Sequence, residues 1–111
     1  MNKLSKKKCV PCEGGTPPLT AEEIANLKAK IPNWTVAEDQ KSISLEFAFK
    51  NFAEAFAFAN KIAAIAEVEN HHPDLHVSWG KVGVELSTHA IGGLSENDFV
   101  LAAKIDKIDS V

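Results

Sequence analysis

The chain has 111 residues, 45% of them apolar and 24% charged, which is enough for one domain with a real core and matches the composition of a soluble globule. No apolar run reaches the length of a membrane span, and the basic start MNKLSKKK has no apolar stretch after it as a secretory signal would, so a cytoplasmic protein is expected. Four lysines crowd the first eight residues, the remainder carries fifteen acids against eight lysines, and arginine is absent, which argues against nucleic acid and against a substrate gripped mainly through phosphates.

Residues 1–18 read as a flexible tail, lysine-rich and then broken by Gly14, Gly15, Pro17 and Pro18, with the folded domain spanning 19–111. The tail contains a CxxC pair, Cys9 and Cys12. Such a pair supplies half a zinc site or a redox couple. No second pair completes a zinc site, and lysines and Gly-Gly-Thr-Pro-Pro stand where a redox motif needs a strand and a helix, so the pair is taken as structural or incidental.

Order is expected from Leu19. Thr20 with Glu23 has the spacing of a capping box and Leu19 with Ile24 that of a hydrophobic staple. Ile24, Leu27 and Ile31 form an apolar stripe that Pro32 ends. Past Trp34 comes a short strand, a turn near Glu38-Asp39-Gln40, and a strand that alternates Ile43, Leu45, Phe47 and Phe49 with Ser42, Ser44 and Glu46. Asn51 with Glu54 opens the longest helix, whose stripe is Phe52, Phe56, Ala59 and Ala63, flanked by Phe58, Ile62 and Ile65. These phenylalanines are expected in the core, and the wide apolar arc could meet the sheet and a second subunit together.

A hairpin follows. Leu75, Val77 and Trp79 alternate with His76 and Ser78, and Val82, Val84 and Leu86 alternate with Gly83 and Glu85. A two-residue loop at Gly80-Lys81, glycine first, suits a type II′ turn. That places Trp79 opposite Val82, Val77 opposite Val84 and His76 opposite Glu85, a surface pair. The last helix starts at Ser95, capped with Asp98 and stapled by Leu94 and Phe99, and runs to about Asp109. The fold class is therefore α+β in the order α-β-β-α-β-β-α: one four-stranded antiparallel sheet with three helices on its apolar face.

All four histidines lie in ENHHPDLHVSWGKVGVELSTHAIGG. Counting outward from the hairpin sets His72 opposite His89, with β-carbons about 5 Å apart where pairing persists. His71 approaches from the end of the long helix, one turn after Glu67. Three readings stand for this cluster: polar loop residues, a metal site, or acid–base chemistry. Histidine both gives and takes a proton near neutral pH, and two imidazoles with pKa values pushed apart can serve as acid and base. No nucleophile signature stands beside them, which favours proton transfer over covalent catalysis.

With Glu67, His71-His72-Pro73, Trp79, His89 and Asp98 at these spacings, the sequence resembles the pterin-4a-carbinolamine dehydratases. THAIGGLSENDFVLAAKID, Trp34 and FAEAFAFANKIA extend the likeness over roughly residues 19–108. The resemblance implies dehydration of 4a-hydroxytetrahydropterin to quinonoid dihydropterin in pterin recycling, with no metal or organic cofactor. It implies catalytic roles for His71, His72 and His89, where His71 and His89 exchange acid and base and His72 chiefly holds the pterin. It also implies a pterin pocket involving Glu67, Asn70, Pro73, Trp34, Thr88 and Asp98, and a homodimer or homotetramer. Leu75 stands where many members have an aromatic, Asn70 where an acid is common, and CVPCEGG resembles bacterial members. The alternative on the same fold is a non-catalytic pterin-binding or dimerisation module of coactivator type.

Overall fold

The computed structural model describes residues 4–9 and 17–108. Within them the element order is α1 (Ala21–Lys28), β1 (Thr35–Val36), β2 (Ile43–Ala48), α2 (Phe52–Glu69), β3 (Asp74–Ser78), β4 (Lys81–Leu86) and α3 (Glu96–Asp106), with 3-10 turns at Leu4–Lys6 and His89–Ile91. The strands form one antiparallel sheet in the order β1-β2-β4-β3, and three helices accompany it, as the alternation and capping signals predict. Cys12 and Asp109 lie outside the described residues. Among the described residues no helix is long and apolar enough to cross a membrane.

Local sequence accounts for the helix starts. Thr20 Oγ1 accepts the Glu23 N–H while Glu23 accepts the Thr20 N–H, and Asn51 Oδ1 accepts the Glu54 N–H. These contacts satisfy donors that the first helical turn leaves unpaired. Inside the domain, Ile43, Val82, Val84 and Leu86 bury the helix-facing side of the sheet against Phe58, Ile62 and Leu101. Phe58 meets Phe47 and Phe49 at ring-centroid distances of 4.7 and 5.0 Å.

Four details depart from the expectations. The hairpin register is displaced by two residues: Val77 pairs with Val82, Leu75 with Val84, His76 with Gly83 and Asp74 with Glu85. A two-residue slip keeps every side chain on its face, so apolar matching cannot distinguish the two registers. The loop is Trp79-Gly80, and Gly80 is not at positive φ. Gly80 instead extends the pairing with β2, its carbonyl accepting the Phe49 N–H at 2.8 Å, and a β-carbon there would stand 3.3 Å from the Phe49 carbonyl oxygen. The glycine suits this close approach and does not serve a type II′ turn. His76 accordingly faces Gly83, not Glu85, and His72 is not paired with His89, because the ladder ends at Asp74.

The second departure is in α2. Its buried face is Ala55, Phe58, Ala59, Ile62 and Ala66, while Phe52 and Phe56 are 48% and 57% exposed and stack on each other at 5.9 Å. The helix is apolar nearly all round, so periodicity does not select the inward face. Small alanines let α2 approach β3 and β4, the Phe58 ring packs inward, and the rings of Phe52 and Phe56 turn outward. In the third, α3 ends at Asp106, with Ile108 packed past its end against the core.

The fourth concerns the N-terminus. Residues 4–9, expected within a flexible tail, are docked: Leu4 is buried among core residues and the 3-10 turn lies against α3. Asn97 through Ala103 are all buried as a result, which a helix covered on one face only could not achieve.

Trp34 is also buried in the core, its indole N–H donating to Asp106 Oδ1 at 2.9 Å. Burial raises the Asp106 carboxyl above its ordinary 3.8, and the Trp34 hydrogen bond offsets part of that rise. The folded state therefore holds this proton more tightly than the unfolded chain, so the associated stability is complete below pH 3.8 and is lost as pH rises through the elevated value. Asp106→Asn keeps the acceptor and removes the charge. Urea midpoints measured from pH 3 to 7 should show the variant gaining on the wild type as pH rises, whereas a constant difference would refute the assignment.

Candidate active site

Asp98 sits in the first turn of α3, its side chain wholly buried. The helix N-terminus favours a carboxylate there, but burying one demands donors. Its Oδ2 accepts the Ser95 N–H at 3.0 Å and the Thr88 hydroxyl at 2.8 Å. Thr88 has one hydroxyl hydrogen, already given to Asp98, so in its 2.7 Å contact with Ser95 the serine hydroxyl donates. The other oxygen, Oδ1, lies 2.7 Å from His71 Nε2. With the carboxylate held as an acceptor by its other partners, Nε2–H is the donor, and Nδ1 is left as the ring nitrogen available to a ligand. The His71 side chain is 13% exposed, shielded but open on one side.

The end of α2 aims His71 at that carboxylate. Asn70 adopts a left-handed conformation (φ 54°, ψ 39°), and both its N–H and that of His71 return to the Ala66 carbonyl. Asparagine tolerates this conformation better than other side-chain-bearing residues. The chain leaves the helix sharply, and His71 meets a residue 27 positions later in sequence.

His72 turns elsewhere. Its Nε2 lies 2.6 Å from Glu67 Oε2, and both side chains are exposed. Pro73 separates it from β3. His89 is exposed in the 3-10 turn directly after Thr88. That turn is pinched shut by a bridge between Thr88 and Gly93, and a β-carbon on Gly93 would come within 2.8 Å of Pro18. His89 is thus linked to the Asp98 carboxylate through its neighbour Thr88, by the geometry of two helix ends and not by cross-strand pairing.

Of the residues expected to form the site, His71, Asp98 and Thr88 share one hydrogen-bond network, with His89 next to Thr88 and Asn70 next to His71. His72 and Glu67 form a second, exposed pair. Trp34 is not brought into either. Ser95, read only as a helix cap, belongs to the network. Its role was detectable in principle, since Ser95 and Asp98 cap the same helix and Thr88 is seven residues away. Among the described residues no group of three or more histidine, cysteine, aspartate or glutamate side chains is arranged to hold a metal ion.

A concavity of about 520 Å³ lies elsewhere, on the open face of the sheet, where its lining includes Ser44, Glu46, His76 and Gly83. None of its residues belongs to the network, and nothing there joins a buried charge to an imidazole. The chemistry is better matched to the Asp98 cluster than to this hollow.

A family model described as pterin 4 alpha carbinolamine dehydratase matches residues 17–108. Curated relatives provisionally named pterin-4-alpha-carbinolamine dehydratase include one from Rickettsia canadensis, 54% identical over 96% of this chain and 97% of its own. Another, from Alkaliphilus metalliredigens, is 51% identical over 99% of each. Among solved structures, a transcriptional coactivator/pterin dehydratase from Brucella melitensis superposes with a TM-score of 0.75 at 31% identity, covering 80% of this chain and 95% of that one. A pterin dehydratase-like protein identified as a RuBisCO assembly factor in the alpha-carboxysome gives 0.58 at 25% identity, over 67% and 86%.

Thr88→Val preserves shape but removes one donor to Asp98 and leaves the Ser95 hydroxyl without its acceptor. Buried groups stripped of a partner cost about 1–3 kcal/mol, so urea unfolding should show a loss in that range. A Thr88→Ser variant, which restores the hydroxyl, should recover part of it.

Proposed function

This chain belongs to the pterin 4 alpha carbinolamine dehydratase family, and we propose that it catalyses loss of water from 4a-hydroxytetrahydropterin by histidine acid–base chemistry. The observation that carries this reading is the 2.7 Å contact between His71 Nε2 and the buried Asp98 carboxylate. An imidazole anchored through one nitrogen to a fixed carboxylate presents the other in a defined direction and tautomer. In the reaction the bond from C4a to the hydroxyl oxygen breaks, a proton delivered to that oxygen makes water, and the proton on the adjacent ring nitrogen departs as the C=N bond of quinonoid dihydropterin forms. Electrons and atoms balance without an external oxidant or reductant.

His71 is assigned to one proton transfer and His89 to the other, the two exchanging roles with direction. Asp98 keeps the His71 ring oriented and stabilises its protonated form, while Thr88 and Ser95 hold Asp98. His72 with Glu67, outside the buried network, is assigned to pterin binding, where a carboxylate suits the amino and N–H groups of the ring. Asn70 and Pro73 shape the same edge. The physiological setting proposed is recycling of reduced pterin in the cytoplasm.

A second reading, a non-catalytic module that binds pterin or assembles with protein, has one observation in its favour. Phe52 and Phe56, in contact with each other, leave an apolar patch exposed on α2, of the kind that an interface covers. A homodimer or homotetramer is compatible with either reading. Light scattering should report an oligomer for the wild type, and Phe56→Glu should reduce its mass. A monomeric wild type would remove the oligomer from the proposal.

Catalysis is tested by stopped-flow loss of the 4a-carbinolamine. General acid–base residues typically contribute about 10²–10⁴-fold, so His71→Ala and His89→Ala should each slow turnover within that range. His72→Ala should chiefly raise KM. Absence of acceleration by folded wild type would leave the binding module, and loss of turnover in His72→Ala with unchanged pterin affinity would reverse the assigned roles.

A further inference from the structure

The docked N-terminal segment makes contacts close in sequence to both partners of the His71–Asp98 hydrogen bond. Cys9 N–H donates to Glu69 Oε1 at 2.8 Å, and Cys9 Sγ lies 3.7 Å from the Asn97 carbonyl oxygen. Glu69 ends α2 two residues before His71, and Asn97 immediately precedes Asp98. The same segment is tied to the body of α3, where Lys104 Nζ donates to the Ser5 carbonyl at 2.9 Å and stands 3.7 Å from Glu69 Oε2. Lys7 and Glu96 add an exposed ion pair at 3.0 Å, and Leu4 anchors the whole in the core.

Glu69 is the junction. Its side chain is 8% exposed, and one carboxylate joins the N-terminal segment, the end of α2 and, through Lys104, α3. A charge buried this far gains little net stability from its partner, because desolvation offsets the attraction. What such a contact does well is select one relative placement of the elements it joins. Directly after Glu69 the chain makes its left-handed turn at Asn70, so a shift at Glu69 passes to His71 with no intervening helix to absorb it.

We propose that residues 4–9 form a positioning strap: through Glu69 and Lys104 they hold the end of α2 against the start of α3 and thereby set the His71–Asp98 contact. This inference rests on the dehydratase reading for its kinetic consequence, though not for its structural one. Leu4, Glu69 and Lys104 are positioning residues, acting through His71 and Asp98 and not on substrate. The strap also explains why a lysine-rich segment is ordered: its apolar anchor and its backbone, not its charged side chains alone, make the contacts.

The test uses the full chain in five forms: wild type, Leu4→Ser, Lys104→Met, Lys104→Arg and, as reference, Asp98→Asn. The readouts are turnover and the imidazole ¹⁵N resonances of His71. Misplacement of a catalytic group by a fraction of an ångström is worth roughly tenfold in rate, so Leu4→Ser and Lys104→Met should lower kcat by about that factor while KM stays within about twofold. Their His71 resonances should move toward those of Asp98→Asn, and Lys104→Arg should retain wild-type signals and rate. If Lys104→Met and Leu4→Ser melt at lower temperature yet keep the wild-type His71 resonances, the segment contributes stability only and the proposal fails. Should Leu4→Ser not fold, Lys104→Met carries the comparison. Wild type without dehydratase activity would overturn the proposed reaction, and the His71 resonances would still decide whether the strap positions the ring.

Discussion

A carboxylate with no exposed surface at the start of a helix has to be answered by donors, and the arrangement around Asp98 follows from that demand. One oxygen is satisfied by Ser95 and Thr88 from the approach to α3, which leaves the other for His71. Because a buried acceptor lacking a donor costs more than a hydrogen bond returns, each of these groups holds the others in place. The turn that carries His89, the cap of α3 and the exit from α2 are joined at this one residue.

That constraint explains why the His71–Asp98 network lies at helix ends and not over the sheet. The sheet supplies a flat support whose inner face is filled by Ile43, Val82, Val84 and Leu86, while its outer face carries only a shallow hollow. Helix termini, by contrast, present unpaired backbone groups and abrupt changes of direction. Asn70 uses the second property to aim His71, and Asp98 uses the first to satisfy a buried oxygen, which accepts the Ser95 N–H. The N-terminal segment closes the remaining side of α3 and is tied to both ends through Glu69 and Asn97.

The same fold is shared by proteins of different description, a coactivator/pterin dehydratase and a RuBisCO assembly factor among them. Fold alone therefore does not select between catalysis and assembly. The discriminating features are local. In this chain His71 is hydrogen-bonded to a buried carboxylate, which supports the catalytic reading, and the exposed Phe52 and Phe56 on α2 give a surface through which copies could associate.

What the sequence by itself determined is what neighbouring residues decide among themselves. Thr20 with Glu23 and Asn51 with Glu54 mark helix starts because the capping partners are three residues apart, and the alternation from Ile43 to Phe49 marks a half-buried strand because its period is two. The crowding of His71, His72 and His89 into one stretch marked the region that holds the His71–Asp98 contact for the same reason, and the spacing to Asp98 carried the family resemblance. Tertiary structure alone decided the rest. Hairpin register shifts by two without turning a single side chain, so only pairing with β2 could set it. An α2 that is apolar on most sides shows no preference until the sheet selects alanines and sends Phe52 and Phe56 outward. The docking of residues 4–9 depends on one leucine and on backbone groups meeting Glu69 and Lys104, partners far along the chain, which composition cannot reveal. Above all, the His71–Asp98 contact bridges 27 residues, and no local rule acts over that distance: the two side chains meet because a left-handed turn and a buried helix start are packed against each other.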